Sequence, residues 1–397
     1  MSYGSEADFA AAAGAALAGL PHMTPHRLRD LLAAAPTQEV WAGVREGSTL
    51  VEDVLDAGHV RARLRRRGEI DSNDVPLSRR WASAARDVDL AVVAEANRAA
   101  GVAVHVLGDP GYPSALASDH EAPAVLFSRG DLAALAHPGV AIVGTRSATH
   151  YGQDVASELG CELANAGVGV VSGLALGIDG AAHQGALAAG SAPPVGVVAS
   201  GLDVIYPPRH ARLWERVATA GALLSEAPLG TEPRAWRFPV RNRIIAAVAQ
   251  VVVVVECHRR GGALHTVEAA IERGRLVMAV PGSVRSPASE GTNALLADGC
   301  QPVRDTDDVL AALDLERAGR SAAPAAYRPP DLTAEEGTVL AALEWRPVGT
   351  DEVMRRTEMP LEAVAVVLDR LEGLGVARGG GGYWERDDAC AHRERAR

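Results

Sequence analysis

The chain of 397 residues contains no lysine, so its 39 formally positive side chains are all arginines. Without lysine there can be neither a GxxxxGK(S/T) phosphate loop nor a Schiff-base amine. The sequence therefore excludes a P-loop ATPase and pyridoxal-phosphate catalysis. A composition biased towards alanine, valine and arginine is the simplest explanation for the absence. That bias accounts for the type of basic residue but not for its placement.

Cysteines are few, and apolar runs of membrane-spanning length are missing. Cys161, Cys257, Cys300 and Cys390 lie far apart and form no CxxC pair, which argues against a thiolate metal site and a disulfide framework. No apolar stretch reaches the roughly 18 residues of a membrane span. Residues 1–20 are alanine-rich and acidic, unlike a secretory signal. We expect reduced thiols in a cytoplasmic protein that has no metal, no cofactor and no membrane partner.

The first two regions of the chain differ in their hydrophobic pattern. Residues 1–100 are typical of a helical domain, in which Thr24 is placed as an N-cap and Pro25 at the first helical position. Residues 101–314 alternate short apolar runs with amphipathic helical spacing, which predicts βαβ units. We therefore expect an α/β fold with a Rossmann-like parallel sheet covered on both faces. The predicted strands are residues 140–143, 168–171, 195–199, 222–224, 251–255 and 276–280.

A linker and a small domain complete the chain. Residues 315–330 are rich in alanine, proline and arginine and are typical of a linker. In residues 331–386, Thr333 and Glu336 form a capping box that opens one helix, and a further helix follows from Pro360. The stretch VARGGGGYWER predicts two short strands around a glycine turn. Together these elements predict a winged-helix domain.

The predicted recognition helix of that domain, residues 360–372, is acidic. It holds Glu362, Asp369 and Glu372 against one base, Arg370. Such a surface would repel the phosphates of a duplex, because nucleic-acid affinity depends on neutralising them. The composition favours contact with a protein over reading of duplex DNA.

The ends of the predicted strands are mostly small or basic. In an open parallel sheet, ligands bind outside the carboxyl ends of the strands, where loops lead into helix N-termini. Glycine and serine allow backbone N–H groups to approach a ligand closely, and helix N-termini favour anions. The pattern predicts an anion site at this edge of the sheet. The strand exits are Gly144, Thr145 and Arg146; Ser172 and Gly173; Ser200 and Gly201; Ser225 and Glu226; His258, Arg259, Arg260, Gly261 and Gly262; and Pro281 and Gly282.

Residues 233–243 concentrate positive charge in a chain whose formal net charge is −11. The segment holds four arginines and no acid, and it precedes the five consecutive valines of residues 251–255. Its basic and aromatic members are Arg234, Arg237, Arg241 and Arg243, with Trp236 and Phe238 between them. Arginines for phosphates beside aromatic rings for bases are what sequence-independent binding of a single strand requires. Packing of both rings in the core is the alternative. A second arginine run, residues 61–67, is more typical of a solvated helix face.

Two other patterns bear on catalysis. Asp179 and His183 lie four residues apart, on one face of a predicted helix, but no second histidine or carboxylate motif is nearby. Structural hydrogen bonding is therefore favoured over acid/base chemistry. The stretch VGTRSATHYG lacks GxGxxG spacing, and no acid ends the second predicted strand. Both features argue against a nicotinamide dehydrogenase.

Seven motifs, in order across residues 140–299, resemble the DNA-processing protein A family, DprA, which is also called Smf. They are AIVGTR, SGLALGID, GLDVIYP, LLSEAPLGTEP, FPVRNRIIA, GRLVMAVPG and EGTNALLADG. Their order and spacing make the resemblance specific. The helical start is similar to the family's small N-terminal domain of the SAM or helix-hairpin-helix type, and the tail is similar to its winged helix.

The resemblance implies a recombination mediator. Members of the family are homodimers that bind single-stranded DNA in a pocket of the Rossmann-like core and load the RecA recombinase onto it, notably in natural transformation. The resemblance implies a set of DNA-contact residues, and the arginine-rich segment adds Arg237 to them. The implied contacts are Gly144, Thr145, Arg146, Ser172, Gly173, Phe238, Arg241, Asn242, Arg243, Gly262 and Thr266.

The alternative function is that of a nucleoside-monophosphate phosphoribohydrolase-like enzyme. Related Rossmann-like phosphoribohydrolases carry GGxGTxxE, and GGALHTVEAA superficially resembles it. If the motif is counted from the first glycine, Glu268 takes the place of the glutamate but His265 takes that of the threonine. If it is anchored on Thr266, Ala269 stands where the carboxylate should be. Without a placed carboxylate hydrolysis is hard to achieve, so we expect a binding protein with no catalytic residues.

Overall fold

The computed structural model describes residues 6–48, 51, 76–313, 332–343, 347–374, 376–380 and 382–386. The predicted linker and the arginine run of residues 61–67 lie outside these ranges, as does Cys390. Within them, no helix is both long enough and apolar enough to cross a bilayer. Cys161, Cys257 and Cys300 form no disulfide among the described residues; the first two are buried and Cys300 is half-buried.

Helices fill the described residues before the first strand. They are α1 (Glu6–Ala18), α2 (Pro25–Ala34), α3 (Thr37–Glu46), α4 (Leu77–Arg86) and α5 (Leu90–Ala99). As predicted, Thr24 caps α2: its Oγ1 accepts a hydrogen bond from the N–H of Arg27 at 3.3 Å, and Pro25 occupies the first turn. Trp81 is buried, and its Nε1 donates to the carbonyl oxygen of Pro21 at 2.8 Å. These helices share one hydrophobic core with residues of the sheet, such as Phe127, and with Trp214 of the helix Ala211–Ala220.

A nine-stranded sheet forms the centre of the molecule. Its strands are β1 (Ala103–Val106), β2 (Val125–Gly130), β3 (Gly139–Val143), β4 (Gly169–Ser172), β5 (Val195–Val198), β6 (Ala222–Ser225), β7 (Val251–Val254), β8 (Leu276–Ala279) and β9 (Gln301–Pro302). Their order is β1-β2-β6-β5-β4-β3-β7-β8-β9. The strands from β3 to β9 are all parallel to one another, which confirms the Rossmann-like sheet and all six predicted strands. β1 and β2 form an antiparallel edge that the sequence pattern did not predict.

Helices cover both faces of this sheet. They are α6 (Ser114–Ala117), α7 (His150–Asn165), α8 (Ile178–Ala189), α9 (Ala211–Ala220), α10 (Arg237–Val248), α11 (Leu264–Glu272), α12 (Glu290–Ala297) and α13 (Thr306–Ala312), with 3₁₀ turns at Leu132–Ala136, Pro208–His210 and Pro287–Ser289. α7 and α8 pack on one face, and α10 and α11 on the other. α7 and α8 approach so closely that a Cβ on Gly185 would lie 1.9 Å from the carbonyl oxygen of Ser157. The valines of β7 alternate between the two cores, as expected of a strand buried on both faces.

The order in which the chain adds strands to the sheet changes side at β3. From there the chain builds β4, β5 and β6 on one side, and it then returns to add β7, β8 and β9 on the other. The loops that leave the carboxyl ends of β3 and β7 therefore diverge towards opposite sides. Such a switch point is where open α/β sheets form a ligand crevice.

The C-terminal residues fold as a winged helix. Its elements are α14 (Ala334–Ala342), β10 (Val348–Gly349), α15 (Thr350–Thr357), α16 (Leu361–Gly373), β11 (Ala377–Gly380) and β12 (Tyr383–Arg386). The predicted capping box is present: the N–H of Glu336 donates to Thr333 Oγ1 at 3.3 Å, and the N–H of Thr333 donates to Glu336 Oε2 at 2.7 Å. The domain has a hydrophobic core of its own, with Val339, Val364 and Leu368 fully buried. The boundaries assigned to the domains from the sequence remain predictions.

Candidate nucleic-acid interface

A cleft of about 630 Å³ opens at the carboxyl ends of β3 and β7, and we call it the switch-point cleft. The loops that leave these two strands and the first turns of α10 form its walls. Of the twelve candidate contacts, it is lined by Gly144, Thr145, Arg146, Phe238, Arg241, Asn242, Gly262 and Thr266. The four candidates that lie elsewhere are Ser172, Gly173, Arg237 and Arg243.

The loop after β3 is held rigidly, and this fixes Arg146 at the mouth of the cleft. Gly144 is a position that only glycine fits, because a Cβ there would lie 2.5 Å from Ile178 Cγ1 and 2.7 Å from the carbonyl oxygen of Glu256. The N–H of Thr145 donates to the same carbonyl at 2.7 Å, and its own carbonyl accepts from the N–H of Ile178 at 3.3 Å. The loop is thus bonded both to the end of β7 and to the start of α8.

Arg146 is exposed and lies over an aromatic ring. Its guanidinium carbon is 4.6 Å from the centroid of the Phe238 ring, which in turn contacts Tyr206 with a centroid separation of 5.7 Å. This cation–π contact orients the guanidinium while leaving its donors at the mouth of the cleft. Arg146 forms no ion pair with any other described residue. Its positive charge is therefore available to an anion.

Arg241 lies beneath the cleft rather than on its rim. Its side chain is buried: Nη1 donates to the carbonyl oxygens of Gly173 (2.9 Å) and Val197, and Nε donates to Asn242 Oδ1 at 3.1 Å. Burial lowers the pKa of Arg241 to about 10, although Asp179 opposes this shift, so the guanidinium stays charged at neutral pH. Gly173 makes room for it, because a Cβ there would lie 2.6 Å from the guanidinium nitrogens.

Arg243 is committed to an internal ion pair. Its Nη2 donates to both carboxylate oxygens of Glu226 at 2.6 Å each, and its Nη1 donates to the carbonyl oxygen of Glu121. Arg273 also binds the segment that contains Glu121. Its guanidinium bonds to Asp119 at 2.8 and 3.1 Å and to Glu121 at 2.9 Å. The sequence suggested a phosphate contact because no acid is near Arg243 in the chain. In the fold, the acid comes from the end of β6.

Ser172 and Arg237 also point elsewhere. Ser172 is fully buried, and its Oγ donates to the carbonyl oxygen of Ile142 at 2.6 Å, which ties β4 to β3. Arg237 lies on the opposite side of the first turn of α10, with its guanidinium carbon 4.5 Å from the centroid of the Trp236 ring. Trp236 is 46% exposed, so packing of its ring into the core, the alternative open from the sequence, is not what the fold contains. All twelve residues remain predictions as DNA contacts.

Asp179 and His183 are both buried, and Asp179 contributes to the lining of the cleft. Asp179 accepts a hydrogen bond from the N–H of Gly173 at 3.1 Å, and burial raises its pKa while Arg241 opposes that shift. Burial lowers the pKa of His183 to about 4, so its imidazole is neutral at physiological pH. Within the described ranges, no three His, Cys, Asp or Glu side chains gather as metal ligands would. The arrangement favours a structural role for both residues.

The region that carries the cleft matches a known family. Residues 103–314 match the family model described as DNA recombination-mediator protein A, and residues 322–382 match the DprA winged helix domain. The chain belongs to the DprA family. It is therefore a DNA-processing protein of the recombination-mediator class, with the Rossmann-like core and winged helix of that family.

Several DprA relatives are similar over most of their own length. DNA processing protein DprA of Bacillus subtilis (strain 168) is 38% identical over 219 residues, which cover 55% of this chain and 73% of that protein. Protein Smf of Escherichia coli (strain K12) is 38% identical over 286 residues, covering 70% of this chain and 76% of that protein. The solved structure of DprA from Streptococcus pneumoniae superposes with a TM-score of 0.61 at 30% identity, over 75% of this chain and 95% of that one.

The switch-point cleft also contains a residue that the sequence did not mark as a contact, Tyr206. It does not contain Glu268, the glutamate of the alternative function. Tyr206 belongs to the GLDVIYP motif, so the resemblance carried a signal for it, but nothing marked it as a wall of the cleft. Glu268 is not among the lining residues. Its exposed carboxylate lies 3.2 Å from Nδ1 of His265, and of the two residues only His265 lines the cleft. This position gives no support to a phosphoribohydrolase.

The bonds of Arg273 to Asp119 and Glu121 predict that the stability of the fold is sensitive to acid. Burial raises the pKa values of Asp119 and Glu121, but bonds from Arg273 outweigh it and hold both below their usual range. An acid with a lowered folded-state pKa stabilises the fold above its unfolded pKa, and this stability is lost as the pH falls through the folded value. We expect the free energy of unfolding in urea to fall more steeply between about pH 5 and about pH 2 in the parent than in Arg273→Gln.

The matched control for that titration is Arg285→Gln, which changes an exposed arginine without a described ion-pair partner. It should keep the acid sensitivity of the parent. If Arg273→Gln and Arg285→Gln lost stability with the same pH dependence, the Arg273 contacts would not be what lowers these two pKa values.

Proposed function

We propose that this chain binds single-stranded DNA in the switch-point cleft without reading its sequence, and that it acts there as a recombination mediator and not as an enzyme. The observation that carries the proposal is the Arg146–Phe238 pair at the mouth of the cleft. It sets a guanidinium that forms no ion pair with a described residue beside an aromatic ring. A guanidinium fork suits phosphate oxygens, and a ring offers a stacking surface to any base.

The rest of the cleft supports the same ligand. An added Cβ at Gly262 would meet no atom within 4 Å, so a sugar-phosphate backbone can approach the main chain there. Arg241 adds a buried positive charge below the strand. Bases that are paired inside a duplex cannot reach Phe238, whereas unpaired bases can stack on it. Binding through phosphates and ring faces does not depend on base identity.

We further propose that the protein works as a cytoplasmic homodimer that loads the RecA recombinase onto the bound strand, notably in natural transformation. The support is the recombination-mediator description of the family model that the core matches, together with the order of the seven motifs. For the winged helix we propose contact with a protein. Arg370, the one base of its acidic recognition helix, forms an ion pair with Glu336 at 2.8 Å.

A competition experiment tests the proposed ligand. A fluorescent oligothymidylate bound to the full chain is displaced either by the unlabelled single strand or by a duplex of the same length. We expect the single strand to compete at least about tenfold better, because only its bases can stack, and stacking contributes about 1–3 kcal/mol per base. Equal competition by duplex and single strand would contradict the proposal.

A further inference from the structure

A second cleft lies between the helical N-terminal region and the core, and we call it the interdomain cleft. Its volume is about 630 Å³. Residues 18–25, which connect α1 to α2, form one wall, and residues 225–232, which follow β6, contribute to the other. Arg241 lines both this cleft and the switch-point cleft, so the two are neighbours.

The first turn of α10 is the ridge between the two clefts. Arg237 and Val240 line the interdomain cleft, whereas Phe238 and Asn242 line the switch-point cleft. Each side of the ridge therefore carries one arginine stacked on one aromatic ring. The separations of guanidinium carbon and ring centroid are 4.6 Å for Arg146 over Phe238 and 4.5 Å for Arg237 over Trp236.

The interdomain pair has surface and charge to offer a ligand. Trp236 carries the largest of the side chains, and it is 46% exposed. Arg237 Nε is buried without a hydrogen-bond partner in the described residues, and burial together with the nearby charge of Arg234 lowers the pKa of Arg237. Trp236 and Arg237 therefore lie together in the wall of the interdomain cleft, with the guanidinium stacked on the exposed ring.

Acidic residues of the same wall do not cancel this charge. Glu226 also lines the interdomain cleft, but both of its carboxylate oxygens accept from Arg243. Glu232 and Arg234 are both exposed at the rim, where solvent screens their opposite charges alike, and neither forms an ion pair with a described residue. The side of the cleft next to the ridge is therefore positive.

We propose that the interdomain cleft is a second subsite for the same unpaired strand. After leaving the switch-point cleft, the strand crosses the first turn of α10. A base then stacks on Trp236, and the adjoining phosphate binds Arg237 and Arg234. The inference rests on the proposed function, and it adds that the bound length of DNA extends to the helical N-terminal region.

Binding measured against oligonucleotide length tests the second subsite. The probes are fluorescent oligothymidylates of about 4 and about 12 nucleotides, within the range of site sizes of single-strand binding folds. We expect Trp236→Ala to weaken binding of the longer probe about tenfold and to leave the shorter one unchanged, because the shorter strand is held in the switch-point cleft alone. Trp236→Phe, which keeps a ring, should retain most of the affinity for the longer probe.

The matched control is Tyr151→Ala. It removes an aromatic ring that is 52% exposed and lies outside both clefts. If Trp236→Ala and Tyr151→Ala behaved alike with both probes, the second subsite would be refuted. The proposed function would still stand in that case, provided that Arg146→Ala weakened binding of both probes. If Arg146→Ala weakened neither probe, the proposed function itself would fail.

Discussion

Arg243→Ala should lower the free energy of unfolding by about 3–5 kcal/mol, the usual cost of breaking a buried ion pair by removing one partner. The side chains of Arg243 and Glu226 are only 9% and 10% exposed, and Glu226 would lose both of the hydrogen bonds that it accepts from Nη2. The carbonyl oxygen of Glu121 would lose a donor as well. Urea unfolding of the purified variant and the parent at neutral pH measures the difference.

Two further variants sharpen that result. Replacing the pair together, as Arg243→Met with Glu226→Leu, should recover most of the lost stability, because no charge is then left buried and unpaired. Arg285→Ala, at an exposed arginine without a described ion-pair partner, should change the unfolding free energy by less than about 0.5 kcal/mol. If Arg243→Ala were as stable as Arg285→Ala, the guanidinium of Arg243 would be free to serve as a phosphate contact, contrary to the fold described above.

Arg146→Ala should weaken binding of single-stranded DNA by about tenfold to hundredfold while leaving the fold intact. The side chain is exposed and forms no ion pair with a described residue, and a hydrogen bond to a charged group contributes about 1.5–3 kcal/mol. Arg146→Lys should recover only part of the affinity, because an ammonium is a point charge that lacks the flat fork and stacks less well on Phe238. Fluorescence anisotropy with labelled oligothymidylate measures both variants.

The control for this experiment is Arg285→Ala, which removes an exposed arginine that lines neither cleft. It separates the contact made by Arg146 from a general effect of net charge. If the two variants lost the same affinity, Arg146 would contribute only to the overall field of the protein. If neither lost any, the mouth of the switch-point cleft would not be the binding site.

Much of the fold could be predicted from local pattern. The six apolar runs of the core are strands, and the five valines are buried on both faces because their neighbours in the sheet and the helices above and below leave no face open. The helix caps at Thr24 and Thr333 could be predicted because each threonine hydroxyl bonds to an N–H only three residues further along the chain. The antiparallel edge of β1 and β2 did not, since pairing across the sheet depends on distant segments. Strand order also depends on them, and it alone decides that the exits of β3 and β7 form the cleft.

The candidate site shows the same limit. Arg243 lies within a run of arginines, but its partner Glu226 is 17 residues away in sequence and Glu121 is 122 away. Gly173 was expected to let a backbone approach a ligand, and the group that approaches it is the guanidinium of Arg241. In each case the residue type was informative, because the fold needs an arginine at 243 to pair with Glu226 and a glycine at 173 to admit Arg241. The fold decides whether the partner is a ligand or another part of the chain.

A salt titration of single-strand binding, compared between the parent and Arg146→Ala, tests the central claim most directly. Neutralising phosphates releases counterions, so the logarithm of the binding constant should fall with the logarithm of salt concentration with a slope of about −0.7 for each phosphate contacted. The account predicts a clear negative slope for the parent and a slope shallower by about 0.7 for Arg146→Ala. A binding constant of the parent that does not change with salt, or identical slopes for the two proteins, would contradict it.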